Sequence, residues 1–280
     1  MNKRTTLVCA LSVAAWLTMG CSAKPSTQVA SSPAAPGPTS STGPLSLVVI
    51  GDSIPDTKQD ECPGCTGFVT QYANALSKAT GRQVTTVNKS EHTGLRLPGL
   101  LGKLPTLKGE LSTADAIIVG IAHNSIPLSD DVPCGSTFDW ATATMQDWSR
   151  INPACADEAT KKYGPLYDQL YSSIAGWRKG HPTILLTINK YSDWVGWKDA
   201  HLTEEQAAKT VMMHDAWNTM LCDSARRNGF SCADIYHAFN GPDGHKPSGD
   251  LLGADYTHPS QKGNDQITRV LLAQGFGPIQ

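Results

Sequence analysis

The chain has 280 residues, 40% of them hydrophobic and 17% charged, which suits a buried core and excludes wholesale disorder. At roughly 100–200 residues per domain, the length accommodates one or two domains. Lys+Arg at 23 nearly balance Asp+Glu at 25, a formal charge of −2 that excludes a strongly basic nucleic-acid binder.

The N-terminus reads as an export signal. Lys3 and Arg4 precede the charge-free run Leu7–Met19, which falls short of the ~20 residues a bilayer span needs. A basic start, a short apolar run and small residues after it predict a secretory signal peptide over residues 1–20. Gly20-Cys21 follows directly. A cysteine at that place resembles a bacterial lipoprotein signal, which implies that Cys21 is lipidated and becomes the new N-terminus; a plain secreted form is the alternative. Residues 21–44 are Ser, Thr, Pro, Ala and Gly almost throughout. With no apolar period to bury, they predict a flexible tether. Residues 45–280 are then one folded domain on a membrane-anchored, cell-surface monomer.

Apart from Cys9 in the signal and Cys21, the cysteines are Cys62, Cys65, Cys134, Cys155, Cys222 and Cys232. An even set in an exported chain predicts disulfides, and proximity favours Cys62–Cys65, Cys134–Cys155 and Cys222–Cys232. A redox-active Cys62/Cys65 dithiol is the rival for the first pair.

From Leu45 onward, strands and helices alternate. Leu45–Ile50 is a short apolar, β-branched run and reads as a buried strand. Gly67–Thr80 has helical spacing and stops at Gly81. Gln83–Asn88 is a second strand, Leu97–Leu107 a partly helical segment, and Ala114–Ile121 the clearest buried strand. Tyr163–Trp177 reads as helix and Pro182–Ile188 as a fourth strand. Thr203–Asn228 is a long helix, opened by a capping box of Thr203 with Gln206. Phe230–Ile235 is a fifth strand, and Pro259–Gln274 a last helix with Pro259 near its first turn. This alternation predicts an α/β fold with a parallel sheet covered on both faces. Ligands of such sheets bind beyond the carboxyl ends of the strands.

Those ends carry chemistry. The first strand runs into Gly51-Asp52-Ser53-Ile54, placing a serine on a strand-to-helix turn. After the second strand comes Gly94, whose backbone N–H is a candidate oxyanion donor. After the third comes Asn124, with a side-chain amide at the same edge. Near the C-terminus stands Asp255-Tyr256-Thr257-His258-Pro259. A carboxylate three residues before a histidine can orient the imidazole and leave its other nitrogen free as a base. Each piece alone has a bland reading as a cap, a turn glycine or a surface pair.

Together, Ser53, Gly94, Asn124 and Asp255/His258 resemble the four blocks of the GDSL/SGNH hydrolase superfamily. The likeness runs in order over nearly the whole mature domain. Two positions depart from it: Ala122 stands where the third block has glycine, and Ser125 where it has aspartate. The resemblance implies a three-layer α/β/α sandwich with a five-stranded parallel sheet. It implies Ser53 as nucleophile, His258 as general base, Asp255 as its orienting carboxylate, and the N–H groups of Ser53 and Gly94 with the Asn124 amide as oxyanion hole. No cofactor and no metal is expected, since the remaining histidines are scattered and no HExxH occurs.

Residues 125–156 read as a long connection carrying Trp140 and Trp148. His123, Tyr191, Trp194 and Trp197 lie close to strand ends and are candidates for contacting substrate, with packing of the loops as the alternative. The expectation is an exported serine esterase acting on acylated carbohydrate, lipid or a small ester at or outside the cell envelope, with no nucleic-acid partner. Its rivals are an acyltransferase with the same acyl-enzyme and a non-catalytic envelope- or carbohydrate-binding lipoprotein.

Overall fold

The structure is a computed structural model. It describes residues 43–125, 147–196 and 201–279, with the backbone alone of 138–139 and 144–145. The readings placed on residues 1–42, Cys134, Trp140 and Trp197 lie outside the described residues, and with Cys134 the Cys134–Cys155 pairing.

The sheet forms from the five runs expected to be strands: β1 (Leu45–Gly51), β2 (Val84–Asn88), β3 (Ala116–Gly120), β4 (Ile184–Ile188) and β5 (Ser231–Ala233). Their order is β2-β1-β3-β4-β5, and every pairing is parallel. Strand side chains alternate between faces, and β1 shows the consequence. Val48 and Ile50 join one apolar cluster, Leu47 and Val49 the other. Central β3 is buried throughout, whereas edge strand β2 exposes Thr85 and Thr86.

Helices α3 (Leu97–Lys103), α5 (Pro153–Trp177) and α6 (Glu204–Arg227) pack on the first face. Helices α2 (Phe68–Thr80), α7 (Ile235–Asn240) and α8 (Gln261–Leu272) pack on the second. Two short helices complete the chain, α1 (Ser53–Asp56) and α4 (Lys108–Thr113). The result is a three-layer α/β/α sandwich. Among the described residues, no helix is long and apolar enough to cross a membrane.

Strand ends shift by one or two residues from the sequence reading, and the larger differences lie in the helices. Helix α5 begins ten residues before Tyr163: Asn152 caps it by accepting from the Cys155 N–H at 3.0 Å, and Pro153 fills the first turn, where a missing N–H costs nothing. Pro165 lies inside this helix and does not end it. The connection after β3 therefore stops at Asn152 rather than residue 156. Helix α8 starts at Gln261, capped by Ser260, so Pro259 precedes it. The short α7 was not foreseen. Its cap is Asp234, directly after β5. The capping box of α6 is present in both directions, with Thr203 Oγ1 accepting from Gln206 and Gln206 Oε1 accepting from Thr203. Disulfides join Cys62 to Cys65 and Cys222 to Cys232, the latter tying α6 to β5.

Candidate active site

All five carboxyl ends lie on one edge because every strand runs the same way. At that edge Gly51 and Gly120 are register partners. A Cβ on Gly51 would collide with the Gly120 carbonyl and the Pro55 ring, so this close approach requires glycine. Asp52 comes next and is buried. One carboxylate oxygen caps α1 through the Ile54 N–H at 3.0 Å. The other accepts from the N–H groups of Ala122 at 3.1 Å and His123 at 2.9 Å. Burial pushes the Asp52 pKa up, against the opposing pull of His123 and these three N–H groups. The serine turn is thereby fastened to the end of β3, and Ser53 opens α1.

His258 reaches that serine from the other end of the chain. Its Nε2 lies 2.9 Å from Ser53 Oγ, and its Nδ1 lies 2.6 Å from Asp255 Oδ2. Asp255 Oδ1 accepts from the N–H groups of Thr257 and His258, both at 3.0 Å. The turn between the two residues is tight. Tyr256 adopts a φ of 58°, a left-handed conformation uncommon for a bulky side chain. The Gly253 N–H closes the turn on the His258 carbonyl at 2.7 Å, and the Tyr191 hydroxyl donates to the Thr257 carbonyl at 2.6 Å. Burial disfavours the charged imidazole, but the Asp255 hydrogen bond and the Glu61 carboxylate outweigh it and hold the His258 pKa above its ordinary 6.5. Burial would raise Asp255, yet its bonds to His258 and to the two N–H groups keep it below the usual carboxylate range.

Gly94 and Asn124 stand in the loops leaving β2 and β3. Gly94 is exposed with a φ of 70°, where a side chain would be strained. The Asn124 Nδ2 donates to the Leu95 carbonyl at 3.2 Å. An amide nitrogen has two N–H groups, so a second remains for another acceptor. Ser125, at the family's aspartate position, is buried and accepts the Leu97 N–H at 2.9 Å. This departure is therefore filled by a working hydrogen bond that ties the end of β3 to the start of α3.

Of the candidates for contacting substrate, Tyr191, Trp194 and His123 are interior. Tyr191 has no exposed surface and stacks on Phe239 at 4.4 Å. Trp194 is buried edge-on against Trp148. His123 is also interior: its ring lies 4.9 Å from Tyr191, and its Nε2 lies 3.5 Å from Asp193, which pairs in turn with buried Lys190 at 3.1 Å. Desolvation lowers the His123 pKa. These three side chains pack around the loop after β4, in line with the packing alternative.

Two residues that no motif marked stand beside His258. Glu61 Oε1 is 3.1 Å from His258 Nε2, and His92 Nδ1 is 2.7 Å from the same Glu61 oxygen. They arrive on separate loops, so linear spacing carried no signal. The chain also holds a second Asp-x-x-His pair with the same local geometry. Asp234 Oδ2 and His237 Nδ1 are 2.6 Å apart, at the start of α7. Of these two described pairs, it is His258 that meets Ser53.

No family model matches the sequence, and no curated protein does. Solved structures do match. A lipase from a goat rumen metagenome aligns at a TM-score of 0.64 and 18% identity, covering 84% of this chain and 100% of that one. An extracellular lipase from Streptomyces rimosus aligns at 0.56 and 17%, covering 82% and 99%. A variant of an acetyl xylan esterase from Geobacillus stearothermophilus aligns at 0.52 and 18%, covering 84% and 96%. The chain has the fold of the SGNH hydrolases. At these identities the likeness is one of architecture, and the chemistry rests on the residues themselves. In this chain Ser53 follows β1, Gly94 and Asn124 stand in the loops after β2 and β3, and the Asp255–His258 pair meets Ser53 through the His258 ring.

Proposed function

We propose that this chain is a serine carboxylic ester hydrolase. The observation that carries the reading is the continuous relay from Ser53 Oγ through the His258 ring to Asp255, with contacts of 2.9 and 2.6 Å. Asp255 fixes the proton on Nδ1, which leaves the Nε2 lone pair facing the hydroxyl. His258 takes the Ser53 proton as Oγ attacks the ester carbonyl, and the tetrahedral oxyanion forms. The N–H groups of Ser53 and Gly94 and the second N–H of Asn124 receive it. Losing one such donor typically costs about 2.7–4 kcal/mol of transition-state stabilisation. His258 returns its proton to the leaving alcohol. Water, activated by the same nitrogen, then releases the acid and regenerates Ser53.

The substrate class is an acylated carbohydrate, a lipid or a small ester outside the cytoplasm, reached by a chain exported on residues 1–20 and anchored through Cys21. The two disulfides favour an oxidising compartment. The purified chain is expected to hydrolyse p-nitrophenyl acetate and to label with a fluorophosphonate at Ser53. A Ser53→Ala variant that keeps full activity, or a wild-type serine that does not label, ends this reading.

A further inference from the structure

Glu61, His92 and His258 bring one ligand atom each to within 4.8 Å of one another. Glu61 Oε1 is the hub, 2.7 Å from His92 Nδ1 and 3.1 Å from His258 Nε2. Glu61 Oε1 and His92 Nδ1 are buried and lie within ion-pair distance, yet neither has a partner at hydrogen-bond geometry. Buried polar atoms almost always have partners, so such a pair needs an explanation. The two imidazole rings lie nearly parallel, with centroids 5.9 Å apart. The Glu61 loop is held in place from below. Its neighbour Cys62 is bridged to Cys65, and Gln59 takes the Gly64 N–H and donates to the Cys65 carbonyl.

We infer that Glu61, His92 and His258 form an inhibitory binding site for a zinc-like divalent ion. Two imidazole nitrogens and a carboxylate oxygen suit a borderline ion of tetrahedral preference, with one position left open. Magnesium and calcium prefer all-oxygen sets of higher coordination number. With metal–ligand bonds of about 2.0–2.2 Å, tetrahedral donors stand roughly 3.3–3.5 Å apart, so from 2.7 Å the His92 nitrogen must draw back from Glu61 Oε1 by roughly 0.6–0.8 Å, and from 3.1 Å the His258 nitrogen by roughly 0.2–0.4 Å. His92 has the room to move, since about a third of its side chain (34%) is exposed.

The inhibitory sense follows from the His258 lone pair. Nε2 has a single lone pair, which either accepts the Ser53 proton or coordinates the ion. A bound ion therefore withdraws the base and leaves Ser53 unactivated. No bond to carbon changes, and chelation reverses the state. Loss of activity on zinc binding rests on the esterase reading; the binding itself does not.

The test uses the purified full chain, dialysed against a chelator and then titrated with zinc chloride alone. Bound metal is measured by equilibrium dialysis with atomic absorption, and ester hydrolysis is measured in parallel. The expected result is one zinc ion per chain, with activity lost in step with occupancy, restored by chelator and unaffected by magnesium. His92→Ala is expected to weaken zinc binding and inhibition together by well over about tenfold, with His92→Gln as a second variant and circular dichroism as the check on folding. Absence of stoichiometric zinc, unchanged affinity in both folded His92 variants, or zinc-stimulated hydrolysis overturns the inference. A chain that binds zinc at these residues but never hydrolyses an ester would instead overturn the esterase reading and leave the metal site standing. An active esterase that binds no zinc does the reverse.

Discussion

Asp255→Asn separates orientation of the imidazole from mere proximity to it. In the native turn, Asp255 Oδ1 is held by two N–H donors at 3.0 Å, so an asparagine keeps its carbonyl oxygen there. Its NH2 group then occupies the Oδ2 position, 2.6 Å from His258 Nδ1. An N–H pointing at Nδ1 makes that nitrogen the acceptor and moves the ring proton to Nε2. The nitrogen facing Ser53 can then no longer take its proton. In a serine protease the equivalent tautomer error costs about 10⁴ in kcat, equivalent to roughly 5.5 kcal/mol of barrier. Asp255→Ala removes the hydrogen bond without imposing the wrong tautomer, so it should be no more damaging. The assay is initial-rate hydrolysis of p-nitrophenyl acetate with chelator present, with circular dichroism to confirm folding. A folded Asp255→Asn variant that retains more than about a tenth of wild-type kcat refutes the tautomer argument.

Three further outcomes are expected. The base works in its neutral form, and the His258 pKa is held above 6.5, so kcat/KM should fall as pH drops through a midpoint above 6.5 and be fully present above it; removing the Glu61 charge by Glu61→Gln should move that midpoint down, and a wild-type midpoint below 6.5 in a chelated pH profile contradicts the electrostatics. His237→Ala disrupts the other Asp–His pair, which is 44% exposed at the histidine and has no contact with Ser53, so ester hydrolysis should stay within about twofold of wild type. Gly51→Ala forces a methyl group against the Gly120 carbonyl and the Pro55 ring; overpacking of this kind costs about 1–3 kcal/mol, and at about 2–4 °C per kcal/mol for a domain of this size thermal denaturation should show a Tm lower by several degrees.

Much of the architecture was legible in the chain because its signals are local. Apolar runs such as Ala116–Gly120 need no partner to be recognised, and a capping box spans four residues, so the strands and the start of α6 were readable from neighbours alone. Errors fell where local signals compete. Pro165 and the polar residues before Tyr163 obscured the first turns of α5, while Asn152 and Pro153 supplied its true start. Aromatics after β4 look alike in sequence whether they face solvent or core. Tyr191 is interior because Phe239 and the Thr257 carbonyl, both distant in the chain, converge on it.

From its order of residues alone, this protein had a β/α alternation and a serine, a glycine, an amide and an Asp–His pair arranged at successive strand ends. Tertiary structure decided which of two locally equivalent Asp-x-x-His pairs meets the serine, and that Glu61 and His92 stand beside that histidine. The physical reason is range. Hydrogen bonds within a turn are set by a few adjacent residues, whereas contact between Ser53 and a side chain 205 residues away depends on how the layers pack against the sheet.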